Sequence, residues 1–226
     1  MRLPSLLPLL LPLMTVVSGT VSAQTPLPVD LSSIELSDID LSAPDLAQID
    51  LSRVDRNAVL SAGGEVVLRA SPDSVDALFQ AVAQASREPD EADTLCALFE
   101  PDAPRDLDAF QHAVDRLGAD SRVRLATAFV AVAQSGLEGQ RQPYEPEAAR
   151  RVLSAAAVTA TLLHEGFMTG LTATGTDRAS REGRCRAFRQ LVDVLQDRPR
   201  QQRVLATRWL LNEGLTLVAR SGGRDG

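Results

Sequence analysis

The chain contains two cysteines and two histidines, so any thiol, imidazole or metal chemistry has to be built from Cys96, Cys185, His112 and His164. His164-Glu165 begins like the zinc-binding pattern His-Glu-x-x-His, but Met168 stands where the second histidine ligand belongs. The cysteines are too far apart for a Cys-x-x-Cys redox pair and lack the further ligands a zinc site needs, so a structural disulfide between them is expected. Ser154 and Ser180 are not framed by the glycines of a nucleophile elbow. Glu165 lies in an apolar segment, where burial would raise its pKa and suit it to general-acid work with His164 as neighbour. The competing reading makes Glu165, His164 and Thr161 part of a polar binding seam. His112 lies one turn after Asp108, as in an exposed i, i+4 pair. Trp209, the only tryptophan, sits near Arg203 and Arg208 in sequence and is either a binding residue or a partly buried core residue. No residue is assigned to catalysis, metal or cofactor.

The elements that carry these residues read as helices. Ser71-Pro72 is an N-cap followed by proline at the first helical position, and Val75, Leu78, Phe79 and Val82 make one apolar face. A short helix over residues 91–99 buries Leu95, Cys96 and Phe99. Another aligns Leu107, Phe110, Val114 and Leu117 before Gly118, and a fourth, capped by Asp120 or Ser121, runs to about Gly136. The fifth is expected as one helix from Pro146 to Thr174. At 100° per residue it sets Glu147, Ser154, Thr161, Glu165 and Thr172 on one line and the small residues Ala148, Ala155, Thr159, Gly166, Gly170 and Ala173 on another. Leu153, Leu163, Phe167 and Leu171 fill a third, apolar face. Residues 177–196 bury Cys185, Phe188, Leu191, Val192 and Leu195 behind an arginine-rich face. The last helix, from Pro199 to about Ala219, aligns Val204, Leu211, Leu215 and Val218, and residues 221–226 form a frayed tail. The fold class expected is all-α, a bundle of six or seven helices over residues 71–220.

Ahead of the bundle, residues 57–70 read as a β-hairpin, with Ala58-Val59-Leu60 and Glu65-Val66-Val67-Leu68 flanking Ser61-Ala62-Gly63-Gly64. Before that, an acid recurs at Asp30, Glu35, Asp40, Asp45, Asp50 and Asp55, and Leu31, Leu36, Leu41, Leu46 and Leu51 each follow one. A five-residue period matches neither helix nor strand. The stretch 29–55 resembles pentapeptide repeats, whose unit centres on a leucine and winds a four-sided β-helix, and that resemblance implies a short solenoid. Five units make little more than one coil, so an acidic, extended or disordered leader over residues 24–56 is the preferred alternative.

The first residues have the form of a signal peptide. Arg2 precedes a leucine-rich run, and Val21-Ser22-Ala23 places small residues where a signal peptidase cleaves, which gives a mature chain starting at Gln24. Pro4, Pro8 and Pro12 interrupt the run well short of a membrane span. A periplasmic or secreted protein is expected. All 23 basic residues are arginine and the net charge is −7. Residues 24–120 hold 20 acids and 6 arginines, whereas residues 178–226 hold 11 arginines and 5 acids. An acidic chain without interleaved aromatics makes a poor nucleic-acid binder. The arginine-rich C-terminal helices leave room for peripheral contact with an anionic surface. The expected function is a non-catalytic binding or scaffolding module whose partner is an unidentified protein or envelope component. The alternatives are a periplasmic hydrolase using Glu165 and a carrier of an apolar ligand or lipid.

Overall fold

The computed structural model describes residues 56–222, apart from residues 99, 101–102 and 104–106. The signal-peptide, leader and pentapeptide-repeat expectations therefore lie outside the described residues, as do Phe99 and residues 223–226. Among the described residues the chain is all-α, with nine helices. In order these are α1 (Arg56–Arg69), α2 (Pro72–Ala85), α3 (Pro89–Ala97), α4 (Leu107–Asp115), α5 (Ala119–Glu138), α6 (Pro146–Leu163), α7 (Phe167–Leu171), α8 (Arg178–Gln196) and α9 (Arg200–Gly222). No helix among them is long and apolar enough to cross a membrane.

Helix α2 is shared by two cores, because adjacent residues on a helix point about 100° apart. Val75, Leu78 and Ala81 join Ala70 of the α1–α2 junction, Leu125, Ala128 and Val132 of α5, and Val204 of α9. Phe79 and Ala83 face the second core, with Ala156 and Ala160 of α6, Phe167 of α7, Ala187, Val194 and Leu195 of α8, and Ala206 of α9. Ser71 caps α2 as its sequence implied, its hydroxyl accepting from the Ser74 N–H across 3.1 Å.

The expected hairpin at residues 57–70 is instead α1, and the bundle begins at Arg56. Gly63 and Gly64 do not turn the chain. They let α1 lie close to α9, where a Cβ on Gly63 would meet Leu215 at 3.4 Å. Each interior glycine costs about 1 kcal/mol of helix propensity. Burial of Val67, Leu68 and Ala70 and side-chain capping by Arg208 outweigh that cost. The glycine pair signals a turn only when tertiary contacts are ignored.

The expected single helix over residues 146–174 is also corrected. Helix α6 stops at Leu163, His164 adopts extended backbone, and Gly166 takes the left-handed region at φ 79°. The break lets α7 fold back on α8, where Gly170 approaches Gly183 so closely that a Cβ there would collide with the Gly183 carbonyl. Together, α1 and this break turn the seven helices expected into nine. Two smaller differences concern α5: Gly118 is its N-cap residue in place of Asp120 or Ser121, and it runs past Gly136 to Glu138. Gly136 is buried where α5 crosses α1, against the Val66 carbonyl.

Candidate binding surface

The inward face of α6 is made of alanines, Ala149, Ala156 and Ala160, all fully buried. The small-residue line expected from the sequence is thus rotated: Ala155 is exposed, and the close contact with a neighbour is made by Gly170 of α7. Small inward residues bring α6 near α8 and α9 and leave its larger side chains pointing outward. Val158 is 61 % exposed, Leu162 81 % and Leu163 66 %. Leu163 was expected in the apolar face with Leu153, Phe167 and Leu171. Phe167 is buried, Leu153 and Leu171 are partly so, and Leu163 stands out at the helix end.

Glu147, Ser154, Thr161, Glu165 and Thr172 are all exposed, so the polar line meets solvent. The Thr161 hydroxyl donates to the Ala157 carbonyl at 2.8 Å and the Thr172 hydroxyl to the Met168 carbonyl at 2.7 Å, the back-bonding that satisfies a threonine on an exposed helix face. His164 is half-buried at the break, its N–H donating to Ala160 O and its carbonyl accepting from Phe167 N–H. Thr161, His164 and Glu165 are therefore brought together at one end of α6. Neither the His164 nor the Glu165 side chain has a hydrogen-bond partner among the described residues.

Trp209 is placed elsewhere. It packs near the start of α6, where the Arg150 guanidinium lies 5.8 Å from its ring centroid, a cation–π contact. Arg150 precedes Thr161 by three helical turns, so the tryptophan and the break flank opposite ends of α6. The chain's only tyrosine is nearby: the Asn212 amide donates to the Tyr144 hydroxyl at 3.3 Å. Burial pushes the Tyr144 hydroxyl above its ordinary pKa, and the Asn212 bond opposes that shift. No chain of motifs links Tyr144 to Trp209, so their proximity had no sequence signal. The surface expected from Trp209, Arg208 and Arg203 does not form. Arg208 is buried against α1, and Arg203 grips Asp76 of α2 with two bonds of 2.9 and 3.0 Å.

No known family model, curated protein or solved structure matches the chain.

Two further groupings are structural. Cys96 of α3 and Cys185 of α8 are joined by a disulfide, as their sequence implied. Beside it, Arg184 pairs with Glu100, its Nε 3.2 Å from Glu100 Oε1, while its Nη1 donates to the carbonyls of Ala173 and Gly175. One guanidinium thus ties together the segment after α3, the α7–α8 connection and α8. A polar cleft of about 420 Å³ opens at the N-terminus of α5, lined by Gln84, Glu88, Glu91, Asp120, Ser121 and Arg124. Its three acids and one arginine sum to a formal charge of −2, set beside the positive end of the α5 dipole. Among the described residues no group of three or more His, Cys, Asp or Glu side chains could hold a metal ion.

The sequence reading missed Val158 and Leu162 as surface residues. The signal was present: at 100° per residue both fall near the line of Glu147 and Arg151, whereas Ala149, Ala156 and Ala160 lie opposite.

Proposed function

We propose that this chain is an exported, non-catalytic binding or scaffolding module, and that the outer face of α6 is where it engages its partner. The observation that carries this reading is the outward placement of Val158 and Leu162 between polar residues, in a helix whose inward positions are occupied by alanine. Large apolar side chains rimmed by polar ones are a common mark of interaction surfaces. Export is supported by the signal-peptide pattern of residues 1–23 and by the Cys96–Cys185 disulfide, which persists in oxidising compartments.

The test is site-specific photo-crosslinking from position 162 in the exported, mature protein, with position 201, an exposed site at the start of α9, as control. A defined crosslinked product from position 162 and none from 201 is the expected result. Absence of any specific product at 162 would remove the α6 face as the engagement site, and with it this reading.

A further inference from the structure

The C-terminal half of α9 is apolar and incompletely covered. Trp209, Leu210, Leu211, Leu215, Leu217 and Val218 all fall there, yet none of residues 209–218 is buried. Leu215 and Asn212 turn toward Gly63 and Gly64 of α1. Leu210, Gly214 and Leu217 lie within about 60° of arc, at least about 100° away from Leu215. Leu210 is 48 % exposed and Leu217 39 %, and a Cβ on Gly214 would meet nothing within 4 Å. The three residues form an apolar strip with a gap in its middle, on the side of α9 turned away from α1.

The chain itself supplies an occupant. Helices α1 and α9 are antiparallel: the Val67 and Ala70 carbonyls meet Arg208, Gly64 lies against Asn212, and Gly63 against Leu215. The N-terminus of α1 therefore sits beside the last turn of α9, and the residues before Arg56 enter the fold next to the strip. In an extended chain alternate side chains point to opposite sides, so Ile49 and Leu51 fall on one side and Asp50 on the other, and Ile39, Asp40 and Leu41 repeat that arrangement ten residues earlier. We propose that residues 39–55 pass over α9 in extended form, Ile49 and Leu51 covering Leu210, Gly214 and Leu217 while Asp40 and Asp50 face solvent. Leu51 stands five residues before Arg56, a reach of about 17 Å. Leu217 lies five residues before Gly222, about 8 Å along the helix axis, so the span is within reach. A second copy would have to compete with a segment tethered beside the strip, whose effective concentration is of millimolar order. An anionic bilayer fits worse, because Glu213 lies about 40° from Leu217 on α9 and residues 39–55 hold four acids and one arginine.

The strip belongs to α9 and is independent of the outer face of α6. Its test is photo-crosslinking from position 210 in the full mature, disulfide-bonded chain, with peptide mapping of the products and position 201 as control. The expected result is a crosslink within one chain that maps to residues 39–55, in a yield that does not change with protein concentration. Ile49→Asp combined with Leu51→Asp should lower that yield at least about tenfold, because two buried apolar side chains are lost. The same pair of substitutions should speed hydrogen exchange of residues 210–218 in α9 and leave residues 75–83 of α2 unchanged. No intrachain product from position 210, or one formed between two copies or with a different protein, overturns the proposal. An intrachain product that the two substitutions leave undiminished does so as well. The first crosslink is read in the chain with its natural leader, so it decides the matter whether or not the double variant folds. The position 162 crosslink reports on α6 alone, so the two readings fail separately.

Discussion

The Nη2 of Arg208 donates to the carbonyl oxygen of Ala70 across 2.6 Å, and its Nε donates to the Val67 carbonyl at 3.2 Å. A guanidinium in α9 thereby closes the end of α1, 138 residues earlier in the chain. Helix C-termini carry unpaired carbonyls and partial negative charge, so a cation there is favoured. Arg208 is only 4 % exposed, and burial lowers its pKa. Its replacement by methionine keeps most of the packing and strands two buried acceptors. We expect Arg208→Met to cost about 2–4 kcal/mol, from two carbonyls at about 1–2 kcal/mol each. Urea unfolding checks this, and an unchanged midpoint would show that these carbonyls find other donors.

Gly166 and Gly170 should both resist substitution, for different reasons. Gly166→Ala forces a side chain into the left-handed region at a cost of about 1–2 kcal/mol, with no clash, since nothing lies within 4 Å. Gly170→Ala drives a methyl into the Gly183 carbonyl and should cost at least about 1–3 kcal/mol. Gly166→Asn should be milder than Gly166→Ala, because asparagine tolerates that backbone, whereas Gly170→Asn should be worse than Gly170→Ala. Glu165→Gln, at an exposed site, should leave the melting temperature nearly unchanged. Thermal melts of the five variants give the order directly.

The Cys96–Cys185 disulfide closes a loop of 89 residues. In the chain-entropy model that is worth about 4–5 kcal/mol. Because Arg184 binds Glu100 and two carbonyls beside it, the double Cys→Ser variant should keep α3 near α8 at neutral pH and low salt. Arg184→Ala added to that variant should lower stability by more than Arg184→Ala in the bonded protein. A double-mutant cycle read by denaturant unfolding measures the difference; strict additivity would mean that the two ties act independently.

Asp177 caps α8, and the Ser180 hydroxyl and N–H both donate to its carboxylate, holding its pKa below the ordinary 3.8. A carboxylate lowered in the folded state contributes stability that is fully present above its unfolded pKa and is lost as pH falls through the folded one. The start of α8 should therefore loosen only on acidification below about pH 4. An NMR titration of Asp177 in wild type and Ser180→Ala checks the sign: the midpoint should rise in the variant. A midpoint that does not move would remove Ser180 as the cause.

Mass spectrometry of exported protein should find a chain starting at Gln24. Envelope-purified protein that retains Met1 would count against cleavage after Ala23.

Much of the helical framework is legible in the residues themselves. Ser71-Pro72 announces the start of α2, and the spacing of Val75, Leu78, Phe79 and Val82 marks its apolar side, which reads as one face in the sequence and is divided between two cores in the fold. Two cysteines in a chain with a signal-peptide pattern imply their own pairing. These features are local, or depend on a choice with one possible partner. What the tertiary structure alone decided are the places where a distant contact outweighs local preference. Gly63-Gly64 reads as a turn until α9 supplies Leu215 and the Arg208 guanidinium, which make a close-packed helix the better solution. Gly166 reads as one more small residue in a long helix until the approach of Gly170 to Gly183 rewards a break. For Val158 and Leu162 the line shared with Glu147 and Arg151 is written in the sequence, and the packing of the opposite, alanine face against α8 and α9 is what turns that line outward. Periodicity defines the faces of a helix, but only its neighbours select which of them is buried.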